Sequence, residues 1–459
     1  MEAAGAARSG SGGGSAELET PLNRVISQRM LLVFVLGDVL GAGIYALVGV
    51  VAGETGGAIW TAFLIATILA LLTAFAYAEL VTKYPRAGGA AVFVHSAFKL
   101  PFFTFMVAFA VMCSGIASAA TLARAFAGDY FSAFIDLPVV LVALAFLLVV
   151  ALINFRGISE SVKLNMVLTL IEVIGLVLII LIGIAALVAG QGEPSRNLEF
   201  PEGSNVALAI LGGAALSFYA LIGFEDSVNV AEETRDPART FPRALFGGLL
   251  IAGVVYLLVT FTASMVVPTA QLTESDGPLL EVVQQGPLGI PTRAFALIAL
   301  LAVANGALIN LIMASRLVYG MANQGIVPAP FSRVHRTRRT PYVAIVFTTA
   351  LAMLLATVGD LSDLAGTTTT LLLLVFIAVN VAVLVLKRDR VAHAHFQTPK
   401  VIPILGILII AVLLVQRVGN NPQYFAFAGG LLLLGVIFWV VNRLVAGRTG
   451  TIDPEKLRG

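Results

Sequence analysis

Four carboxylates stand in stretches of the sequence that are otherwise apolar. Asp38 lies in VFVLGDVLGAGIY, Glu172 in LTLIEVIGLVLII, and both Glu225 and Asp226 in FYALIGFEDSVNV. An unpaired charge is costly in an apolar environment, and such surroundings favour the protonated form of a carboxyl group. The four side chains therefore have the chemistry of reversible proton binding, or of neutralising a cation.

Glycines accompany the carboxylates in two of these stretches. Gly41 and Gly43 follow Asp38, and Gly223 precedes Glu225 by two positions. Because glycine is a poor helix former, both stretches predict an interrupted helix. An interruption frees backbone amides at one half-helix end and carbonyls at the other, which suit an anionic group and an ammonium or cation. A zwitterion fits this arrangement.

The composition of the whole chain places these stretches in a membrane protein. Of the 459 residues, 59% are hydrophobic and 12% are charged, whereas a soluble domain carries about 25% charged residues. The mean hydropathy is +0.97. The chain is therefore predicted to cross the membrane several times.

Apolar runs of suitable length predict twelve membrane-spanning helices and an all-α fold. We number them span one to span twelve. They are predicted at residues 30–53, 58–82, 102–127, 138–155, 164–190, 206–231, 244–268, 292–320, 342–358, 364–386, 402–416 and 424–442. The carboxylates then fall in spans one, five and six.

The distribution of Lys and Arg favours a cytoplasmic location for both termini of a protein in the cell membrane. In this orientation only four of the 28 Lys and Arg residues fall outside, namely Arg124, Arg196, Arg293 and Arg417. Residues 1–22 and 444–459 are predicted as cytoplasmic tails, the first of them disordered. The most basic loop, FSRVHRTRRTP, is interpreted as a determinant of topology and not as a nucleic-acid site.

The two interrupted spans are the first and the sixth, which would be equivalent if the first ten spans form two halves of five. Residues 23–190 are predicted to form the first inverted repeat and 206–386 the second, followed by spans eleven and twelve at 400–443. Interruptions at matching positions point to the substrate site of a transporter. The alternative reading of membrane glycines is close helix packing, which we assign to Gly49 and Gly53 in GVVAG.

Five stretches resemble the amino acid-polyamine-organocation superfamily of permeases. In chain order they are GDVLGAGIY, YAELVTKYPRAGGA, NFRGISESVKLN, FYALIGFEDSVNVAEETRDPARTFPRAL and SRLVYGMANQGIVPAPFSRVHRTRRTPYVA. The resemblance implies a LeuT-like five-plus-five inverted repeat with two additional C-terminal helices. It also implies secondary active transport of an amino acid by alternating access, either coupled to protons or by exchange.

The resemblance also implies a set of binding residues. Amides around residues 41–43 would hold the substrate carboxylate, and carbonyls near Val39, Tyr219 and Ile222 would meet the amino group. Tyr219 resembles an aromatic gate, although an aromatic side chain that fills a helix interface remains an alternative. The predicted substrate-binding set is Val39, Gly41, Ala42, Gly43, Ile44, Tyr219, Ile222, Gly223 and Phe224.

A coupling role is predicted for Glu172, Asp38 and Glu225. Glu172 falls where proton-coupled relatives place a lysine that substitutes for a sodium ion. We hypothesise that Glu172 and Asp38 approach each other and exchange a proton, or jointly hold a cation. The alternative is that Glu172 only accepts hydrogen bonds from a neighbouring helix. Glu225 is predicted to be functional at the break in span six, the alternative being a solubilising charge at a helix end.

Other classes of function find little support in the sequence. It contains no HExxH, GxSxG or Walker A motif and no channel-type TVGYG filter, and it predicts no catalytic residue, cofactor or metal. His393 and His395 are too few for a metal site. An amine or polyamine permease remains the closest alternative. The sequence leaves open the transported compound, the coupling ion, and the oligomeric state.

Overall fold

A computed structural model of the chain describes residues 26–41, 43–85, 89–156, 161–323 and 325–446. Its regular elements are helices, and the described residues add a single isolated bridge between Ile26 and Thr234. The predicted all-α membrane class is therefore confirmed.

Ten of the described helices are long and apolar enough to cross a membrane. They are Ile59–Lys83, Pro101–Tyr130, Val139–Arg156, Val167–Val188, Val206–Ala231, Pro237–Val266, Thr292–Asn323, Leu361–Leu386, Val401–Asn420 and Pro422–Leu444. The pair Gln28–Val39 and Gly43–Thr55, bent by 45°, forms span one, and the 17-residue helix Tyr342–Val358 coincides with span nine. Each predicted span thus corresponds to a helix or a bent pair in the described part of the chain.

Among the predicted bounds that differ from the structure, two differences have a physical explanation. Span seven begins at Pro237 and not at 244, because a proline in the first helical turn loses no intrahelical hydrogen bond. Span eleven continues to Asn420 and not only to 416. It includes Arg417, which was predicted to lie outside the spans. The Arg417 side chain is buried because its Nη1 donates to Gly366 O at 2.9 Å.

Shorter helices connect the spans. Gly89–Phe98 follows span two, and Thr269–Glu274 and Pro278–Gln285 both follow span seven. Single 3₁₀ turns occur at Pro194–Leu198 and Ala329–Ser332. The last helix continues to Ala446, three residues into the predicted C-terminal tail. The predicted N-terminal tail and residues 447–459 lie outside the described residues.

The spans differ in how far neighbouring helices cover them. The buried share of the most apolar stretch is 72% in both span three and span ten but only 22% in span twelve. Span twelve therefore lies at the periphery, with exposed apolar residues such as Leu433 and Ile437 on its outer face. Lipid is the environment that suits such a face. The division into two inverted repeats stays a prediction.

An ion pair and hydrogen bonds connect the linker between spans ten and eleven to the end of span two. Lys387 Nζ lies 2.5 Å from Glu79 Oε2, and the same oxygen accepts from Thr398 N at 2.7 Å. Lys83 Nζ donates to Leu386 O at 2.5 Å. Glu79 and Lys83 are both 3% exposed. Buried charges at this end of span two are thus satisfied by the linker and by the last carbonyl of span ten.

Candidate functional site

Span one is interrupted at its predicted position. Its first helix begins after Ser27, whose side chain accepts from Met30 N at 3.4 Å, and it ends at Val39. The second helix begins at Gly43. The first amides of a helix lack acceptors within that helix, so this start leaves donors for another group. Ala42, between the two helices, lies outside the described residues.

Span six is interrupted as well. An α-helix ends at Ser217 and one 3₁₀ turn follows, after which Gly223 adopts a φ of +122°. Few residues other than glycine tolerate this conformation. The Gly223 amide donates to Glu225 Oε2 at 2.9 Å, and the Gly223 carbonyl accepts from Asp226 N at 2.9 Å. Glu225 therefore stabilises the break by capping a freed amide.

The two breaks touch each other at two glycines. A Cβ atom added to Gly223 would lie 2.8 Å from Asp38 O, and one added to Gly43 would lie 2.6 Å from Ala220 Cα. Real Cβ atoms do not come this close to backbone atoms. Glycine at both positions therefore allows the interrupted segments to pack together.

A cavity of about 60 Å³ lies at this contact. Such a volume has room for roughly four to six water molecules. A small ligand occupies a comparable space. Residues from spans one, three, five, six and eight form its wall. Lining residues that were predicted for substrate binding or coupling are Asp38, Val39, Gly41, Gly43, Glu172, Tyr219, Ile222 and Gly223.

Three predicted residues do not line this cavity. The Phe224 ring packs against Tyr77 and Phe376, with centroid distances of 5.7 Å to each. Ile44 is fully buried among apolar side chains, and Glu225 turns back onto Gly223. These residues pack behind the breaks and do not form part of the cavity wall.

Tyr219 contacts span three across the cavity. Its hydroxyl lies 2.9 Å from Ser118 Oγ, and both residues line the cavity. Sequence reasoning missed Ser118, because one small polar residue in an apolar span does not distinguish a lining position from a packing position. Asp226, Asn305 and Asn310 also line the cavity.

Tyr256 of span seven connects the two breaks from behind the cavity. Its buried hydroxyl lies within hydrogen-bond distance of the Val39 carbonyl and of the Ala220 carbonyl, the latter at 3.0 Å. Val39 ends the first half of span one, and Ala220 lies in the last turn before the break in span six. The only sequence signal was a tyrosine within the apolar run AGVVYLLVTF.

The structure brings Asp38 and Glu172 to the same cavity. Asp38 Oδ2 is buried without a hydrogen-bond partner among the described residues. Glu172 is 0% exposed and lies beside Asn305, while its backbone carbonyl accepts from Tyr45 OH at 2.7 Å. Asp38 thus lines the cavity and has one carboxylate oxygen without a partner among the described residues, which leaves it able to bind a proton or a cation.

The described part of the chain contains no group of three or more His, Cys, Asp or Glu residues that could bind a metal ion. The two linker histidines bind backbone instead. His393 Nε2 lies 3.2 Å from Thr82 O, and His395 Nδ1 lies 3.4 Å from His393 O.

A cavity between two broken helices of a multi-pass membrane protein is typical of a transporter. The family model described as amino acid permease matches residues 26–444, so the chain belongs to this family. The family lies within the amino acid-polyamine-organocation superfamily that the sequence motifs predicted, and that prediction is confirmed. Membership also confirms that the chain is a transporter and not an enzyme.

Individual relatives carry different names. The chain is 26% identical to a branched-chain amino acid permease of Bacillus subtilis, over 93% of this chain and 94% of the permease. It is 30% identical to the vacuolar cationic amino acid transporter 4 of Arabidopsis thaliana, over 80% of this chain and 64% of that longer protein. It is 25% identical to a methylthioribose transporter of Bacillus subtilis, over 91% of each chain.

Proposed function

We propose that this protein is a secondary active transporter that moves an amino acid across the cell membrane by alternating access, with both termini in the cytoplasm. The observation that carries the proposal is the cavity where the two broken helices meet. Gly41 and Gly43 contribute its wall beside the start of a helix, where free amides favour a carboxylate. Val39 and Ala220 contribute the ends of the opposing half-helices, where carbonyls favour an ammonium group.

The proposed substrate is a small amino acid. The cavity has room for a compact zwitterion, and Leu122 and Ile309 are apolar lining residues that suit a short or branched side chain. The branched-chain permease among the relatives is consistent with this class.

An amine or a cationic amino acid is the second candidate substrate. Three carboxylates, those of Asp38, Glu172 and Asp226, line the same cavity. A second positive charge on the substrate would neutralise part of this acidic wall. The name of the cationic transporter relative points in the same direction.

We further propose that Asp38 and Glu172 carry the coupling proton. Their shared cavity and the unpartnered Asp38 oxygen support this role. A proton bound there would remove a buried charge next to the substrate, so that loading of the proton and loading of the substrate become linked. Exchange of one amino acid for another without net proton movement is the competing mechanism.

Counterflow into proteoliposomes tests the proposal. Vesicles containing the purified full chain are loaded with unlabelled L-alanine, L-leucine, L-lysine or putrescine, and entry of the same labelled compound is measured. We expect saturable counterflow with at least one of the three amino acids. Counterflow with putrescine alone would assign the chain to amine transport, and conductance without saturation would overturn the carrier mechanism.

A further inference from the structure

Five exposed arginines lie at one end of the helix bundle. Arg156 ends span four, and the other four occupy the loop between spans eight and nine. We call this group the arginine cluster. Its members are Arg156, Arg333, Arg336, Arg338 and Arg339.

The loop that carries four of the five arginines contains no acidic residue. The sequence contains no Asp or Glu from residue 325 to 359 or from 139 to 159, and Glu160 lies outside the described residues. No ion pair in the described part of the chain involves these five guanidinium groups. Among the described residues, the exposed charges of the cluster are therefore not neutralised by an ion pair and can attract an external anion.

The loop that carries the cluster is held in a fixed shape. His335 N donates to Thr340 O at 2.9 Å, and Arg339 N donates to His335 O at 2.9 Å. The loop is also docked on span four, because Thr340 Oγ1 donates to Phe155 O at 3.0 Å. The His335 ring packs edge-on against Phe155 with centroids 5.1 Å apart. This docking brings the loop to the residue next to Arg156.

Apolar surface begins directly beside the cluster. Leu152 and Ile153, within one turn of Arg156, are 56% and 46% exposed, and Val346 of span nine is 66% exposed. Such faces suit lipid chains. The arginines therefore lie where the lipid-facing surface ends, which is the depth of phospholipid headgroups.

We propose that the arginine cluster binds the phosphate groups of anionic phospholipids. Guanidinium groups bind phosphate oxygens in a bidentate manner, and basic residues next to a membrane span attract anionic headgroups. Membrane orientation alone requires only the charge of this loop. The ordered turn and its docking beside an apolar face favour a lipid headgroup over a soluble phosphate.

Lipid binding to the purified full chain tests this inference. Dioleoylphosphatidylglycerol or dioleoylphosphatidylcholine is titrated into the detergent-solubilised protein, and bound lipid is counted by native mass spectrometry. Arg336→Gln with Arg338→Gln removes two charges from the cluster. Arg388→Gln with Arg390→Gln removes two exposed charges from the linker that flank Asp389, and it serves as the matched control.

We expect the wild type and the control pair to prefer phosphatidylglycerol, and the cluster pair to bind it about tenfold more weakly. The preference should fall as salt rises. Equal loss in both pairs, equal binding of phosphatidylcholine, or a preference that persists in the wild type at high salt would overturn the inference. Displacement of the lipid by glycerol phosphate at equal concentration would reassign the cluster to soluble phosphates.

Discussion

Individual hydroxyl and carboxyl groups determine how the interrupted segments meet around the cavity. The Tyr256 hydroxyl carries one proton but lies within bonding distance of two carbonyls, those of Val39 and Ala220. It can donate to only one of them at a time. The other carbonyl keeps its full capacity to accept from a substrate ammonium group, and the hydroxyl fixes the spacing of the pair.

Tyr256→Phe is therefore expected to raise the KM for the transported amino acid about tenfold, because it removes a buried hydrogen bond that positions charge-binding carbonyls. Concentration-dependent counterflow measures this change. Tyr130→Phe is the matched control, since its buried hydroxyl donates to Tyr45 O at 2.8 Å and lies outside the cavity wall. An equal rise in KM for both variants would show a general loss of packing and remove the positioning role.

Glu172→Gln tests the proposed proton coupling at the residue scale. If this carboxyl carries the proton, the variant should lose the dependence of uptake on external pH while it still exchanges amino acids. Glu202→Gln, which removes an exposed carboxylate between spans five and six, should leave the pH profile unchanged. An unaltered profile in Glu172→Gln would exclude its proton role.

At the scale of the elements, the substrate cavity depends on close contact between the backbones of spans one and six. Gly43→Ala places a methyl group against Ala220 Cα and should force spans one and six apart. Overpacking of this kind costs about 1 to 3 kcal/mol. We expect a lower thermal unfolding midpoint and loss of counterflow. Gly320→Ala is the control, because a Cβ at that position meets nothing within 4 Å; counterflow retained by Gly43→Ala would refute the need for contact.

The breaks in spans one and six could be predicted from the sequence, whereas the contacts of Tyr256 and Arg417 could not. The breaks were predictable because glycine and charge within an apolar run oppose a continuous helix, as at Gly223 and Asp38. Tyr256 was not predictable, since its partners are backbone carbonyls of two other spans and no local pattern encodes that register. Arg417 was misplaced for a related reason. A hydropathy pattern places an arginine outside a span. In the structure, Thr370 Oγ1 and the Gly366 carbonyl accept hydrogen bonds from Arg417 inside the bundle.

Across the whole molecule, the linker between spans ten and eleven ties distant parts of the chain together. Glu79→Gln leaves Lys387 without its buried counter-charge and is expected to destabilise the protein by about 3 kcal/mol. Combining it with Lys387→Gln should recover part of this loss. Chemical unfolding in detergent micelles measures both effects.

The control for this pair is Asp236→Asn, which disrupts an exposed contact. Asp236 and Arg239 are 3.9 Å apart, with side chains 57% and 80% exposed. Exposed pairs contribute about 1 kcal/mol or less. A loss in Glu79→Gln no larger than that in Asp236→Asn would show that the linker is only weakly attached.

The small volume of the central cavity predicts that the size of the substrate determines how far the broken helices separate. A space of about 60 Å³ suits a compact substrate while the broken helices are in contact at Gly43 and Gly223. Each further methylene in a series from glycine through alanine and valine to leucine must then displace one half-helix from the other. Distances between spectroscopic labels on spans one and six, recorded along that series, would calibrate helix separation against side-chain length.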